Sequence, residues 1–286
     1  MKHPHVPGRW RRAAAVSLAL VLTSSVGVVA TPGVASAASF ASFSLGVLEP
    51  DEIRHVWWNN ATSDAYAPGL EVTEADDPND VCHVTIARTW YVRHASGERE
   101  FHLEIHGGHG ERCQVTVWLA RLTKFTEVAS GSLTPGQWRN FTLNDARTGA
   151  NVYVVAPVPD QLASGDCAIE VVNVRYRTQP SGENEFAWRA LNVGAATCSA
   201  QLRLVRLPVT FSHLANPMPP GSSLGVLRGI PDGIRVVVPG GMPAVNSAAA
   251  CQYTVQPIGY WPRRSDTSSL NSGSVTCELT TTFADV

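Results

Sequence analysis

The chain has 286 residues, 22 basic and 24 acidic side chains, and six cysteines. With residues 1–37 set aside as a leader, its four basic residues go too, and 18 basic side chains stand against 24 acidic ones. That balance excludes a nucleic-acid binder, which needs a basic stripe to neutralise phosphates.

Residues 1–37 read as a signal peptide. Lys2, Arg9, Arg11 and Arg12 form a basic start, Ala13 to Ala30 is apolar, Pro32-Gly33 breaks the run, and Ala35-Ser36-Ala37 supplies an A-x-A cleavage pattern. The weakly apolar, alanine-rich stretch and that cleavage pattern favour removal over a membrane anchor. No later stretch approaches membrane length, so the expectation is a secreted, extracellular protein with no membrane attachment after cleavage. Lys124 is the one lysine beyond the leader, beside many arginines, as in the codon usage of a GC-rich bacterium.

An even set of cysteines in an exported chain implies disulfides, and six cysteines allow 15 pairings. An internal repeat selects among them. Cys82 and Cys113 recur 85 residues later as Cys167 and Cys198, and Ser96-Gly97-Glu98-Arg99-Glu100-Phe101 recurs as Ser181-Gly182-Glu183-Asn184-Glu185-Phe186. A third, shorter copy carries Ser223-Leu224-Gly225-Val226-Leu227, matching Ser44-Leu45-Gly46-Val47-Leu48, followed by Cys251 and Cys277. The expected bridges are Cys82–Cys113, Cys167–Cys198 and Cys251–Cys277, each on the order of 3–4 kcal/mol in the chain-entropy model. The third copy is short enough to have lost a strand or to have much shorter loops.

The copies read as strands. Val115, Val117 and Leu119 alternate with polar residues after Cys113; Ala200, Leu202 and Leu204 do so after Cys198; Phe101, Leu103 and Ile105 form another apolar face. Ser-Gly and Asn-x-Gly turns punctuate them, and no stretch shows a capped helical stripe. Each cysteine pair then joins two inward faces, as a bridge between packed sheets requires. The expected fold class is all-β: tandem disulfide-bridged antiparallel β-sandwich repeats over residues 38–125, 126–210 and 211–286. Asn216 to Gly221, proline-rich, reads as a linker at the start of the third.

The combination of Glu185-Phe186, the Asn192-Val193-Gly194 hairpin, Cys198 and the Leu133-Thr134-Pro135-Gly136 turn resembles the immunoglobulin-like or fibronectin-type repeats of bacterial exported proteins. The antibody-type signature is absent, since Glu111 rather than tyrosine stands two before Cys113. The resemblance implies a scaffold, on which many functions are hosted.

In chain order, the residues that carry chemistry begin with Trp57-Trp58-Asn59-Asn60. Adjacent strand residues face opposite ways, so one tryptophan is exposed and, beside amides, suits a sugar ring. Glu71, Glu74, Asp76, Asp77 and Asp80 make an acidic loop of the kind that binds calcium outside cells, without the D-x-D-x-D spacing. His102, Glu104 and His106 share a strand face and His109 follows, a pattern that can hold zinc or copper. Gly221-Ser222-Ser223-Leu224-Gly225 matches G-x-S-x-G, but Pro219-Pro220 precede it where a nucleophile elbow needs a strand, and no catalytic constellation results. The leading expectation is a non-enzymatic binding or adhesion protein acting on an extracellular macromolecule or surface glycan. The alternatives are a carbohydrate binder using the exposed tryptophan, and a metal-binding or metal-dependent protein at His102–His109. No cofactor is expected, with calcium the one candidate.

Overall fold

The computed structural model describes residues 26–28, 37–75, 82–110, 112–160, 165–214, 217–244 and 248–286. Among the described residues there is no helix. A short β1 (Val26–Val28) is followed by three sets of six strands. The first set is β2 (Ala37–Leu48), β3 (Ile53–Trp58), β4 (Ala65–Glu74), β5 (Val84–Arg93), β6 (Arg99–Gly107) and β7 (Cys113–Leu122). The second is β8 (Thr126–Ala129), β9 (Trp138–Leu143), β10 (Asn151–Pro159), β11 (Cys167–Thr178), β12 (Asn184–Asn192) and β13 (Ala200–Pro208). The third is β14 (Phe211–Leu214), β15 (Ser223–Gly229), β16 (Val237–Pro243), β17 (Cys251–Trp261), β18 (Arg264–Asn271) and β19 (Leu279–Asp285). The short third copy keeps six strands and shortens its loops; its cysteines are 26 residues apart, against 31 in the other two.

Pairing is the same in each set. One layer is β2-β7-β4, β8-β13-β10 or β14-β19-β16; the other is β3-β6-β5, β9-β12-β11 or β15-β18-β17. In the first set Phe101, Leu103 and Ile105 of one layer and Val115, Val117 and Leu119 of the other are all buried, as their alternation requires. The disulfides Cys82–Cys113, Cys167–Cys198 and Cys251–Cys277 form as the repeat predicts. Each joins the segment leading into β5, β11 or β17 to the start of the facing layer's central strand or the bridge just before it.

The recurring polar residues belong to this frame. The Tyr91 hydroxyl accepts a hydrogen bond from the Tyr66 N–H (2.8 Å), the Tyr176 hydroxyl accepts one from Tyr153 (3.1 Å), and the Tyr260 hydroxyl faces the backbone of Val237. Burial raises the pKa of all three phenols, which stay neutral between the layers. The hydrogen bonds also show that the offset of 85 residues does not hold throughout. Tyr66 to Tyr91 spans 25 residues and Tyr153 to Tyr176 spans 23, so β10 is slipped by two relative to β4. Asn192 donates to the Leu133 and Ala196 carbonyls, and Asn271 donates likewise to Met218 and Val275. Residues 217–221, which composition marks as a linker, are a hydrogen-bonded turn inside the third set. Met218 is buried and donates to Cys277, and Gly221 donates to Asn271, as Gly136 does to Asn192.

The three sets are not beads on a string. The end of β5 pairs with the start of β11 (Tyr91↔Ile169), the end of β11 with the start of β17 (Tyr176↔Tyr253), and the end of β17 with the start of β5 (Tyr260↔Val84). The three strands close a ring. Each has a register break at its middle, between Ile86 and Arg88, Val172 and Arg175, and Val255 and Ile258. A bulge bends its strand, which lets one half pair with one neighbour set and the other half with the next. The close approach of sets one and three is visible at Gly69, where an added Cβ would overlap the Arg235 carbonyl oxygen.

β1 lies parallel to β9, Val26 opposite Phe141. It is three residues of the segment whose sequence reads as a leader; the remainder of residues 1–36 lies outside the described residues.

Candidate functional site

The outward face of β3, β6 and β5 carries a residue cluster that recurs in neither of the other sets. Cross-strand pairing sets it: Trp57 lies opposite His102, His55 opposite Glu104, and Trp90 opposite His102 from the other side. Alternation turns His55 and Trp57 outward together while Val56 and Trp58 turn inward. Trp57 is 51 % exposed; Trp58 is half-buried and stacks on Phe43.

Four rings form a row. His55 stacks on Trp90 (4.8 Å between centroids) and on His102 (5.0 Å), His102 stacks on Trp90 (5.2 Å), and Trp57 flanks His102 at 6.2 Å. A hydrogen-bonded chain of ionisable groups runs through the row. His55 Nε2 is 2.8 Å from His102 Nδ1, and His102 Nε2 is 2.8 Å from Glu100 Oε2. The same Glu100 oxygen is 3.1 Å from His94 Nε2, and His94 Nδ1 is 3.1 Å from Asp166 Oδ2. Asp166 precedes Cys167 in the second set, and its other oxygen accepts the Ala95 N–H.

The protonation states follow from donor counting. A carboxylate only accepts, so Glu100 requires a proton on His102 Nε2. In the neutral ring that makes Nδ1 an acceptor, so His55 donates from Nε2. His94 lies between two carboxylates, and donation to both takes the imidazolium form. The Glu100 hydrogen bond, and behind it that of Asp166, raises the His94 pKa. Burial lowers that of His102, against the pull of Glu100. The backbone N–H of Ala95, then His94, lowers that of Asp166.

Arg88 closes the other side. Its guanidinium lies 5.4 Å above Trp90 and bonds Glu170 through two nitrogens, at 3.0 and 2.6 Å. Glu104 is 3.9 Å from the same group and 2.9 Å from His106.

Several residues singled out in the sequence are not brought together. His102 pairs with Glu100 and His55, His106 with Glu104, and His109 with Asp51 at 2.5 Å. Among the described residues no group of three or more His, Cys, Asp or Glu side chains is placed to hold a metal ion. Of the acidic loop, Glu71 accepts the Trp118 indole N–H (3.0 Å) and faces Arg235 at 3.7 Å. Glu74 ends β4. Asp76, Asp77 and Asp80 lie outside the described residues. Asn59 and Asn60 form an exposed turn directly after Trp58. Trp261 helps line a 270 Å³ cleft with Trp118 and Arg235, between the first and third sets.

Sequence reasoning missed His55, Trp90, His94, Glu100 and Asp166. His55 was within reach, two positions before Trp57 on a strand. Asp166 was not, because it comes from another set. Neither a protein-family model, nor a curated protein, nor a solved structure matches the chain.

Proposed function

We propose that the protein is exported by a signal peptide from a bacterial cell. It acts as tandem immunoglobulin-like repeats that bind without catalysing, with a surface glycan as the ligand. The recognition face is the outward side of β3, β6 and β5. The three disulfides suit an oxidising, extracellular setting, and among the described residues no helix is long and apolar enough to cross a membrane.

The observation that carries the reading is the half-exposed Trp57 at the end of a row of stacked rings. A buried aromatic needs no further role, but a tryptophan held open on a rigid sheet, ordered by two histidines, presents a flat apolar surface at little entropic cost. The C–H face of a pyranose fits such a ring, and the amides of Asn59 and Asn60 offer partners for hydroxyls around its rim. The net acidity of the chain beyond residue 37 disfavours phosphate-bearing polymers.

Retention on a panel of insoluble polysaccharides tests this. The protein should be retained on at least one glycan, with little salt dependence, and Trp57→Ala should lose retention while keeping its melting temperature. Absence of retention on every glycan, or equal retention of Trp57→Ala, removes the reading.

A further inference from the structure

The ring of β5, β11 and β17 borders an open cleft of about 400 Å³. Its walls come from equivalent positions of all three sets. Counting two residues on from the N–H that meets each buried tyrosine gives Pro68, Val155 and Pro239, and all three line it. The three register breaks supply the other wall, through Ala87, Val172 and Gln256. These six side chains are only half-buried, so the space before them is open to solvent and unfilled by protein. A cleft of this size falls within the range of small-molecule sites. Its aliphatic walls give water few partners.

We propose that this cleft is a binding site for a neutral amphiphile, an aliphatic chain bearing an uncharged hydroxylated head. The chain is the complement of walls made of valine, proline and alanine. The head is argued from charge. The ionic groups of the lining are Arg88 and Glu170. They neutralise each other through the bonds at 3.0 and 2.6 Å, with the Glu170 side chain 5 % exposed. Among the described residues of the lining a charged head would meet no free counter-ion, and burying an unpaired charge is costly. The amides of Asn173 and Gln256, also in the lining, offer donors and acceptors to hydroxyls. Asn173 sits at its bulge with φ 55°, a left-handed conformation that asparagine adopts more readily than other non-glycine residues. This site uses neither Trp57 nor the imidazoles of the glycan reading above, and shares with that face the Arg88–Glu170 pair at its edge.

The test is titration calorimetry on the purified protein with octyl-β-glucoside, octyl sulfate and octylammonium, all below their micelle concentrations. The glucoside should bind at one site, and the two charged probes at least tenfold more weakly. Val155→Phe and Ala87→Leu, which fill the cleft from different sets, should each weaken the glucoside at least tenfold with melting temperature retained; Trp57→Ala should leave it unchanged. On the unaltered protein, nuclear Overhauser contacts should join the octyl chain to the methyls of Val155 and Val172. Failure of the glucoside to saturate, equal binding of the three probes, folded filled variants that bind like the parent, absence of those valine contacts, or loss in Trp57→Ala would each overturn the proposal. The last outcome would move the site to the outer face and leave the glycan reading standing.

Discussion

The first and third strand sets share a topology and differ in what fills it. On the inward face of β6 stand Phe101, Leu103 and Ile105; at the corresponding positions of β18 stand Ser265, Thr267 and Ser269, all equally buried. The Ser269 hydroxyl meets Thr281 at 2.6 Å and the Tyr253 hydroxyl at 3.1 Å, and Thr267 donates to the Gln256 carbonyl. Buried hydroxyls that find partners cost little, but they contribute far less than the aliphatic and aromatic burial they replace. The third set is therefore the one that leans on its disulfide and on its neighbours in the ring, while the first can stand on its packing.

The largest effect expected from breaking this contrast is Phe101→Ala, about 3–5 kcal/mol by loss of transfer energy and creation of a cavity. Urea denaturation checks it, and a cost near that of a surface change would contradict the packing account. Removing Cys251–Cys277 with paired serines should cost about 3–4 kcal/mol in the chain-entropy model. It should also separate the near-ultraviolet and far-ultraviolet unfolding transitions, because the hydroxyl-lined set then loosens first. The same change at Cys82–Cys113 should leave the two transitions coincident. Ser269→Ala should cost about 1 kcal/mol, one hydrogen-bonded hydroxyl. An effect as large as that of Phe101→Ala would mean that the third core is held together by its polar network after all.

The sequence displayed the three disulfides because the cysteines recur with their alternating strands, and copies pair alike. It displayed the split between Trp57 and Trp58 because adjacent strand residues face opposite ways. The ring was hidden. Each of β5, β11 and β17 pairs with two different sets along its length, and non-local register has no local pattern; Asn173 and Pro257 at the bulges were its only trace. The two-residue slip of β10 was hidden for the same reason, since apolar strand residues look alike under a shift of two. The third core was visible in the serines and threonines of β18, which composition alone reads as surface.

The outer faces carry the opposite contrast, between the first and second sets. Where the first has His55, Trp57, Trp90, His102 and Glu104, the second has Asn140, Thr142, Arg175, Ala187 and Arg189 at the corresponding pairings. Its outward tryptophan, Trp138, is covered by Arg189 at 4.3 Å. The second face holds permanent charge and the first holds titratable charge, so only the first responds to mild pH change.

The signs of His94 and His102 oppose each other. The raised His94 pKa gives a stabilisation that is full below the unfolded-state value near 6.5 and is lost as pH rises through the higher folded value. The lowered His102 pKa gives one that is full above 6.5 and is lost as pH falls through the lower folded value. Together they place a stability maximum near the unfolded-state value of about 6.5, with a loss on either side. His94→Gln should therefore make the melting temperature fall less than the parent's as pH rises above about 6.5, and His102→Gln should make it fall less than the parent's as pH drops below about 6.5. Because Asp166 reaches His94 from the second set, His94→Gln should also loosen that junction, read as faster amide exchange at Ala95, whose N–H bonds Asp166. Parallel pH profiles for parent and both variants would show that the imidazole chain stabilises neither the face nor its junction with the second set.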